Sequence, residues 1–402
     1  MQISEQLRVL VYKIWLHVAE PSDLYLFSDL IKPNFMFARL QQSTLAIFAA
    51  LTLILCLANA PLMQAGPVDW QELSAHPGTS LLDKMIPLEV VDITITADFG
   101  QLLDNRKNED YVPATFSYKD EKGTAHSFDA KMKQRGKFRR MTCDFPPMKL
   151  KFSKKELQAA GLSDMNELKL VTHCLDDRRL GNDLVLKEYL IYKLYNELTP
   201  VSFRVKLVKV TYKDSAGKFK KMTRWGFLIE DEEELNARQG TEACHCLGEP
   251  KESFMANHER IASLFQFMIG NVDWSLETVR NVKLLKNGEG KLMPVPYDFD
   301  FSGLVGAPYA RLNTKLEQKD IRERFFMGLA GSSEEIYSTI SYFKTKKQAL
   351  YRIVSNFKYL DEDTKLAMRE YLESFYAVVE DMQRVQTDLF DKRKASGLEV
   401  NR

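Results

Sequence analysis

The stretch VPYDFDFSG at residues 295–303 places Asp298 and Asp300 on either side of Phe299. On an extended backbone alternate residues share a face, so both carboxylates point the same way, which calls for a cation or open solvent. Upstream, GNVDW carries Asp273, and Asn281 follows eight residues later. Oxygens of these side chains are hard ligands suited to a hard metal ion, and a carboxylate beside them can orient a hydroxyl. Lys149 lies in PPMKLKF, Glu188 in a later apolar-periodic segment, and Arg135, Lys137, Arg139 and Arg140 form a basic cluster in RGKFRR. Metal-holding acids, a carboxylate for the acceptor and cations for phosphate are the parts that phosphoryl transfer needs. They run in the order strand lysine, helix glutamate, aspartate, asparagine, aspartate.

Each residue has a plainer alternative. Asp273 could be a helix-terminal acid, Lys149 and Lys151 the solvated side of an amphipathic strand, and Lys187 and Glu188 an exposed helix face. The arginine cluster could meet phosphate or merely solvate a hairpin. His173 and His258 read as structural, and no serine, histidine and aspartate can be ordered as a hydrolase triad.

The elements that must carry these groups follow from periodicity. LEVVDITITADF, YVPATFSY, HSFDAKMKQRG, PPMKLKFS and NELKLVT alternate or are rich in β-branched and aromatic residues, and KDEKGT supplies a hairpin turn. GNDLVLKEYLIYKLYNEL carries apolar residues at helical spacing, with Asn182 or Asp183 as a candidate cap. FRVKLVKVTY and MTRWGFLIED resume strand character. Thereafter EDEEELNARQG reads as a charged helix or loop, SFMANHERIASLFQFMIG as a helix, KLMPVPY as a strand, and Ile321 to Val385 as mostly helical. The spacing thus predicts an α+β chain, a β-rich part followed by a helical one.

A chain of 402 residues exceeds one ordinary core, and 45% hydrophobic with 28% charged residues fits a globular protein. A net charge of +1 gives no general electrostatic case for nucleic acid. The exception to globular character is residues 43–65, STLAIFAALTLILCLANAPLMQA, whose run from Leu45 to Ala58 carries no charge. Lys32 and Arg39 precede it and Asp69 and Glu72 follow, so the positive-inside rule exports what comes after. Its length lies between a retained membrane anchor and a cleaved signal. Translation from Met36 would give the signal layout, with Cys56-Leu57-Ala58 or Ala58-Asn59-Ala60 as small-residue sites, although Pro61 disfavours the latter. Leu55 before Cys56 departs from a lipoprotein site. Cys143, Cys174, Cys244 and Cys246 remain, allowing three pairings in an oxidising compartment. Cys244-His245-Cys246 is also a zinc-like pair, without a second pair at zinc spacing.

Taken together these motifs resemble the CotH kinase family of secreted atypical protein kinases. MKQRG with PPMKLKF resembles its RG loop and lysine strand, KLVTHCLDDRRLGNDLVLKEYLIYKLYNEL its aspartate loop and long helix, and WGFLIED its GxYLLIE stretch. GNVDW with Asn281 and PYDFDFSG resembles its ND loop, asparagine and PWDxD motif. The resemblance covers about Leu88 to Ala310. It implies a two-lobed atypical protein-kinase-like fold, with a linker at 66–87, a nucleotide-binding lobe at 88–235 and a helical lobe at 236–395. It also implies a catalytic Asp273, Mg2+ or Mn2+ on Asn281 and Asp298 with Asp300 in support, and ATP contacted by Arg135, Gly136, Lys149 and Glu230, with Glu188 paired to Lys149. The substrate implied is a protein hydroxyl; the alternative is a kinase-derived binding or surface-assembly protein without turnover. The chain departs from the family where RGKFRR replaces small hydroxyl residues, and there is no GxGxxG.

Overall fold

The computed structural model describes residues 78–104 and 106–395. The candidate signal or anchor at 43–65 and most of the linker lie outside them. Among the described residues no helix is long and apolar enough to cross a membrane.

Seven strands form a closed barrel: β1 (Val91–Ala97), β2 (Val112–Lys119), β3 (Ala125–Gln134), β4 (Met148–Phe152), β5 (Glu167–Val171), β6 (Val205–Asp214) and β7 (Met222–Glu230). Their order is β1-β2-β3-β4-β5-β7-β6, closed by a parallel β1–β6 pair, while the other neighbours are antiparallel. Alternation explains the closure. Ile93, Ile95, Phe116, Met132, Leu150, Leu168 and Val210 turn inward and are buried together. Each such aliphatic side chain contributes on the order of 2 kcal/mol by leaving water. The residues between them, including Lys149, Lys151 and Lys169, then project from the outer face.

The long helix begins earlier than its apolar pattern suggests. It spans Arg178–Leu198, and its cap is Asp177, whose side chain accepts from the Leu180 amide at 2.7 Å. Asn182 instead accepts from the Trp225 amide at 3.2 Å, fastening the helix to β7. Short helices at Leu81–Met85, Phe99–Asp104, Arg139–Thr142 and Lys154–Ala159 precede it, so in chain order we label them α1 to α4 and the long helix α5. Next, α6 (Glu232–Gln239) settles the charged stretch as a helix, capped by Asp231 and ended by Gly240 at φ +61°. The sequence boundary at 235 falls inside it.

Helix α7 (Ala256–Ile269) is buried on every side from Ile261 onwards. It stops at Gly270, whose φ of +66° suits glycine. A small sheet follows, in which β9 (Val282–Lys286) pairs with β10 (Leu292–Pro296) and with β8 (Glu242–Cys244). Helices α8 (Ser333–Ser355) and α9 (Glu362–Val379) complete a core shared with α5, α7 and the outer face of β7. The expected helix thus starts at Ser333 rather than Ile321. Disulfides join Cys143 to Cys174 and Cys244 to Cys246. The second bond occupies both thiolates that a zinc reading of Cys244-His245-Cys246 requires.

Candidate phosphoryl-transfer site

Backbone hydrogen bonds bring the acidic motifs together. The Gly303 amide donates to Gly270 O and the Leu304 amide to Ile269 O, both at 3.0 Å, so the loop after Asp300 is tied to the end of α7. Just beyond Gly270, the Asp273 amide donates to Asn271 Oδ1 at 3.0 Å. Asn281 Nδ2 donates to both Asp273 O at 2.7 Å and Asp273 Oδ2 at 3.0 Å. The Tyr297 amide donates to Asn281 O at 3.0 Å, which sets Asp298 at the next position. Asp298 donates its own amide to Tyr192 Oη at 2.9 Å. Tyr192 lies one turn beyond Glu188 on α5, so this helix presents both residues to the acidic loop.

Strain accompanies this arrangement. Val279, Asn281 and Asp298 have φ of +49°, +52° and +63°. Asn and Asp tolerate the left-handed region, whereas a β-branched valine there costs on the order of 1–3 kcal/mol.

Glu188, Asp298 and Asp300 each offer a carboxylate oxygen within 4.8 Å of the others. The arginine against them is Arg139, on α3. It donates to Glu188 Oε2 at 3.2 Å, pairs with Asp298, and brings Nε to 3.5 Å from Asp300 Oδ2. Lys149 therefore does not pair with Glu188; its ammonium pairs with Glu167 on the neighbouring strand. The reason is geometric: Lys149 leaves the barrel's outer face beside β5, whereas α3 projects Arg139 between α5 and the acidic loop. Glu188 is only 2% exposed, which excludes a surface helix position. Burial pushes its carboxyl up, with Asp300 adding to the effect and Arg139 opposing it.

Next to the acids lies a cavity of about 330 Å³ lined by Lys133, Arg135, Lys149, Lys169 and Lys283, with Glu109, Asp231 and Glu232 among its acids and Tyr297 in its wall. Lys133 faces Lys149 and Lys149 faces Lys169 across adjacent strands. Like charges in direct register destabilise a sheet unless anions answer them. Three do so in part: Glu109 is 3.4 Å from Lys133, Glu167 contacts Lys149, and Asp231 is 3.4 Å from Lys169. Arg135 forms no ion pair among the described residues. Desolvation lowers its pKa and Arg139 adds to this. Burial likewise pushes Lys169 down to about 8, although Asp231 opposes it.

Glu230 is placed differently from expectation. It is fully buried and held by Arg204 at 2.9 Å and Arg238 at 2.6 Å, and Ile229, Asp231 and Glu232 line the cavity instead. A strand directs successive side chains to opposite faces, so position 230 points away from the cavity that positions 229 and 231 face. Asp273 is half-buried. Burial raises its pKa, Arg280 at 3.4 Å opposes this, and Asp300 adds to it.

Sequence reasoning missed Lys133, Lys169, Lys283 and Tyr192. Lys169 carried a readable signal, since ELKLV alternates as MKLKF does and the two pair in register. Arg139 was visible only as one of four basic residues.

No protein-family model matches the chain, and no curated protein matches it. Among solved structures, the Helicobacter pylori proinflammatory kinase CtkA aligns over 63% of this chain and 92% of its own, at 9% identity and a TM-score of 0.33.

Proposed function

We propose that the chain is an exported atypical kinase of two-lobed fold that transfers the γ-phosphoryl group of ATP to a protein hydroxyl with the help of Mg2+ or Mn2+. The observation that carries this reading is the junction at Tyr297-Asp298, where a cavity lined by five basic residues meets a cluster of three carboxylates. Cations on one side and hard oxygen ligands on the other suit a metal-bound polyphosphate better than either ligand alone.

The residues fit a metal ion. Glu188 Oε1 is buried without a hydrogen-bond partner, and Asp298 Oδ1 and Asp300 Oδ2 face the Arg139 guanidinium without hydrogen-bond geometry. Asn281 uses its amide nitrogen on Asp273, and its side-chain oxygen takes no part in those bonds. A divalent ion held by Asp298, Asp300 and Asn281 would neutralise charge on the phosphate oxygens. Lys149, Lys169 and Arg135 would grip the phosphates, and Asp273, its basicity increased by burial, would orient the acceptor hydroxyl and take up its proton.

Purified full-length protein would be incubated with γ-labelled ATP and Mn2+ beside Asp273→Ala and Asp298→Ala, with nucleotide binding measured in parallel. Transfer by the wild type alone supports the kinase; equal label in all three proteins overturns it. A second reading, a kinase-derived binding protein without turnover, draws on Arg139 lying across the acids. Binding of nucleotide with no transfer by any of the three would favour it.

A further inference from the structure

Arg139 is nearly buried, at 5% exposure of its side chain, and faces three carboxylates with a single positive charge. Only its contact with Glu188 has hydrogen-bond geometry; Asp298 Oδ1 and Asp300 Oδ2 meet it as ion pairs alone, with the Tyr309 hydroxyl also bearing on Asp300. Arg135, within Coulombic range of Glu188, is the next cation, and with all three acids ionised counting it still leaves the trio net negative. Under-compensated buried carboxylates of this kind favour a second cation strongly.

The segment that carries Arg139 is attached at both ends. It leaves the barrel at Arg135 and Gly136, which line the basic cavity, and Gly136 adopts φ +80°. It ends at Cys143, bonded to Cys174. Between them Phe138 packs edge-on against Phe301 of the acidic loop at 5.2 Å. The segment thus runs from the wall of the cavity, at Arg135 and Gly136, to the carboxylates that Arg139 meets.

We propose that Arg139 is a resident counter-ion that latches the acid cluster against free divalent metal and yields when a nucleoside triphosphate fills the cavity. The inference rests on the kinase reading and adds its order of assembly. Phosphate oxygens arriving in the cavity offer Arg139 a planar, charge-assisted partner. Turning to them, it releases Asp298 and Asp300 to the metal. Each charge exchanges one partner for another, and no bond is made or broken. Metal and nucleotide affinities must then be coupled reciprocally.

The test counts free Mn2+ by electron paramagnetic resonance in the presence of the full-length chain, with and without a non-hydrolysable ATP analogue, after subtracting Mn2+ held by the analogue alone. The wild type should bind Mn2+ at least tenfold more tightly with the analogue than without it. Arg139→Gln should bind Mn2+ without the analogue at least tenfold more tightly than the wild type and lose most of the coupling. Arg139→Lys, whose single head cannot reach all three acids, should fall between them and is the variant to read if circular dichroism shows Arg139→Gln unfolded. Tight Mn2+ binding by the wild type without the analogue, unchanged in the variants, would overturn the latch and leave the kinase reading intact. No Mn2+ binding under any condition would overturn both.

Discussion

Lys149 and Lys169 stand directly opposite each other on β4 and β5, and both line the cavity beside the acid cluster. A bound polyanion would resolve that repulsion, and each lysine–phosphate contact would be a charge-assisted hydrogen bond contributing roughly 1.5–3 kcal/mol. Lys149→Met and Lys169→Met should each weaken ATP binding by about ten- to a hundredfold in isothermal titration calorimetry. Lys131→Met removes an exposed charge on β3 outside the cavity and should change affinity less than threefold by the same measurement. Equal losses in all three variants would mean that net charge, not the cavity, attracts the nucleotide.

Lys169 also sets a pH dependence. Burial holds its pKa at about 8, below the ordinary lysine value of 10.5. The free protein therefore loses this charge as pH rises through 8, while a bound anion draws the proton back. ATP affinity should fall between pH 7 and 9, and binding at pH 9 should take up protons, seen as a dependence of the calorimetric heat on buffer ionisation enthalpy. In Lys169→Met both effects should shrink. Stability follows the opposite sign: between about 8 and 10.5 the unfolded chain binds the proton that the folded one has released, so this group favours folding increasingly as pH rises.

The alternating β segments and the apolar helices were legible because periods of two and 3.6 leave an imprint on a single sequence. Asp273, Asn281 and Asp298 stood out as oxygen-bearing side chains in one order, and the structure joins them through Asn281. What could not be read was pairing between distant segments. Sequence order suggests Lys149 as the partner of Glu188, yet whether a strand lysine or a short-helix arginine reaches a buried carboxylate depends on where the Arg135–Cys143 segment folds back. The position of Glu230 failed for a smaller reason: a shift of one residue on β7 changes the face, and a motif match does not resolve it.

The Cys143–Cys174 bond should stabilise both the fold and the arginine segment. It closes a loop of 31 residues, for which chain entropy gives about 3–4 kcal/mol. Cys143→Ala with Cys174→Ala should lower unfolding stability in urea by roughly 2–4 kcal/mol. Hydrogen exchange in residues 136–142 should rise by more than it does in α7, because α3 loses one of its two anchors. Uniform loosening across the chain would show that the bond acts on global stability alone.

His173 predicts an acid limb that is independent of the acid cluster. Its ring is fully buried, stacks on Phe145 at 4.9 Å and has no hydrogen-bond partner on either nitrogen. Burial pushes its pKa down to about 4, and Arg224 adds to this. Above pH 6.5 the imidazole is neutral folded or unfolded and contributes nothing to the pH dependence. As pH falls from 6.5 towards 4, the unfolded chain takes up the proton first, so stability is lost across that window and levels off below it. The loss by pH 4.5 is on the order of 2.5 kcal/mol. His173→Phe keeps an aromatic ring between Phe145 and Tyr212 and removes the titration, so its urea-unfolding free energy should fall less between pH 7 and 4.5 than that of the wild type, by about that amount. Identical losses in the two proteins would place the acid sensitivity in the carboxylates and leave His173 as packing alone.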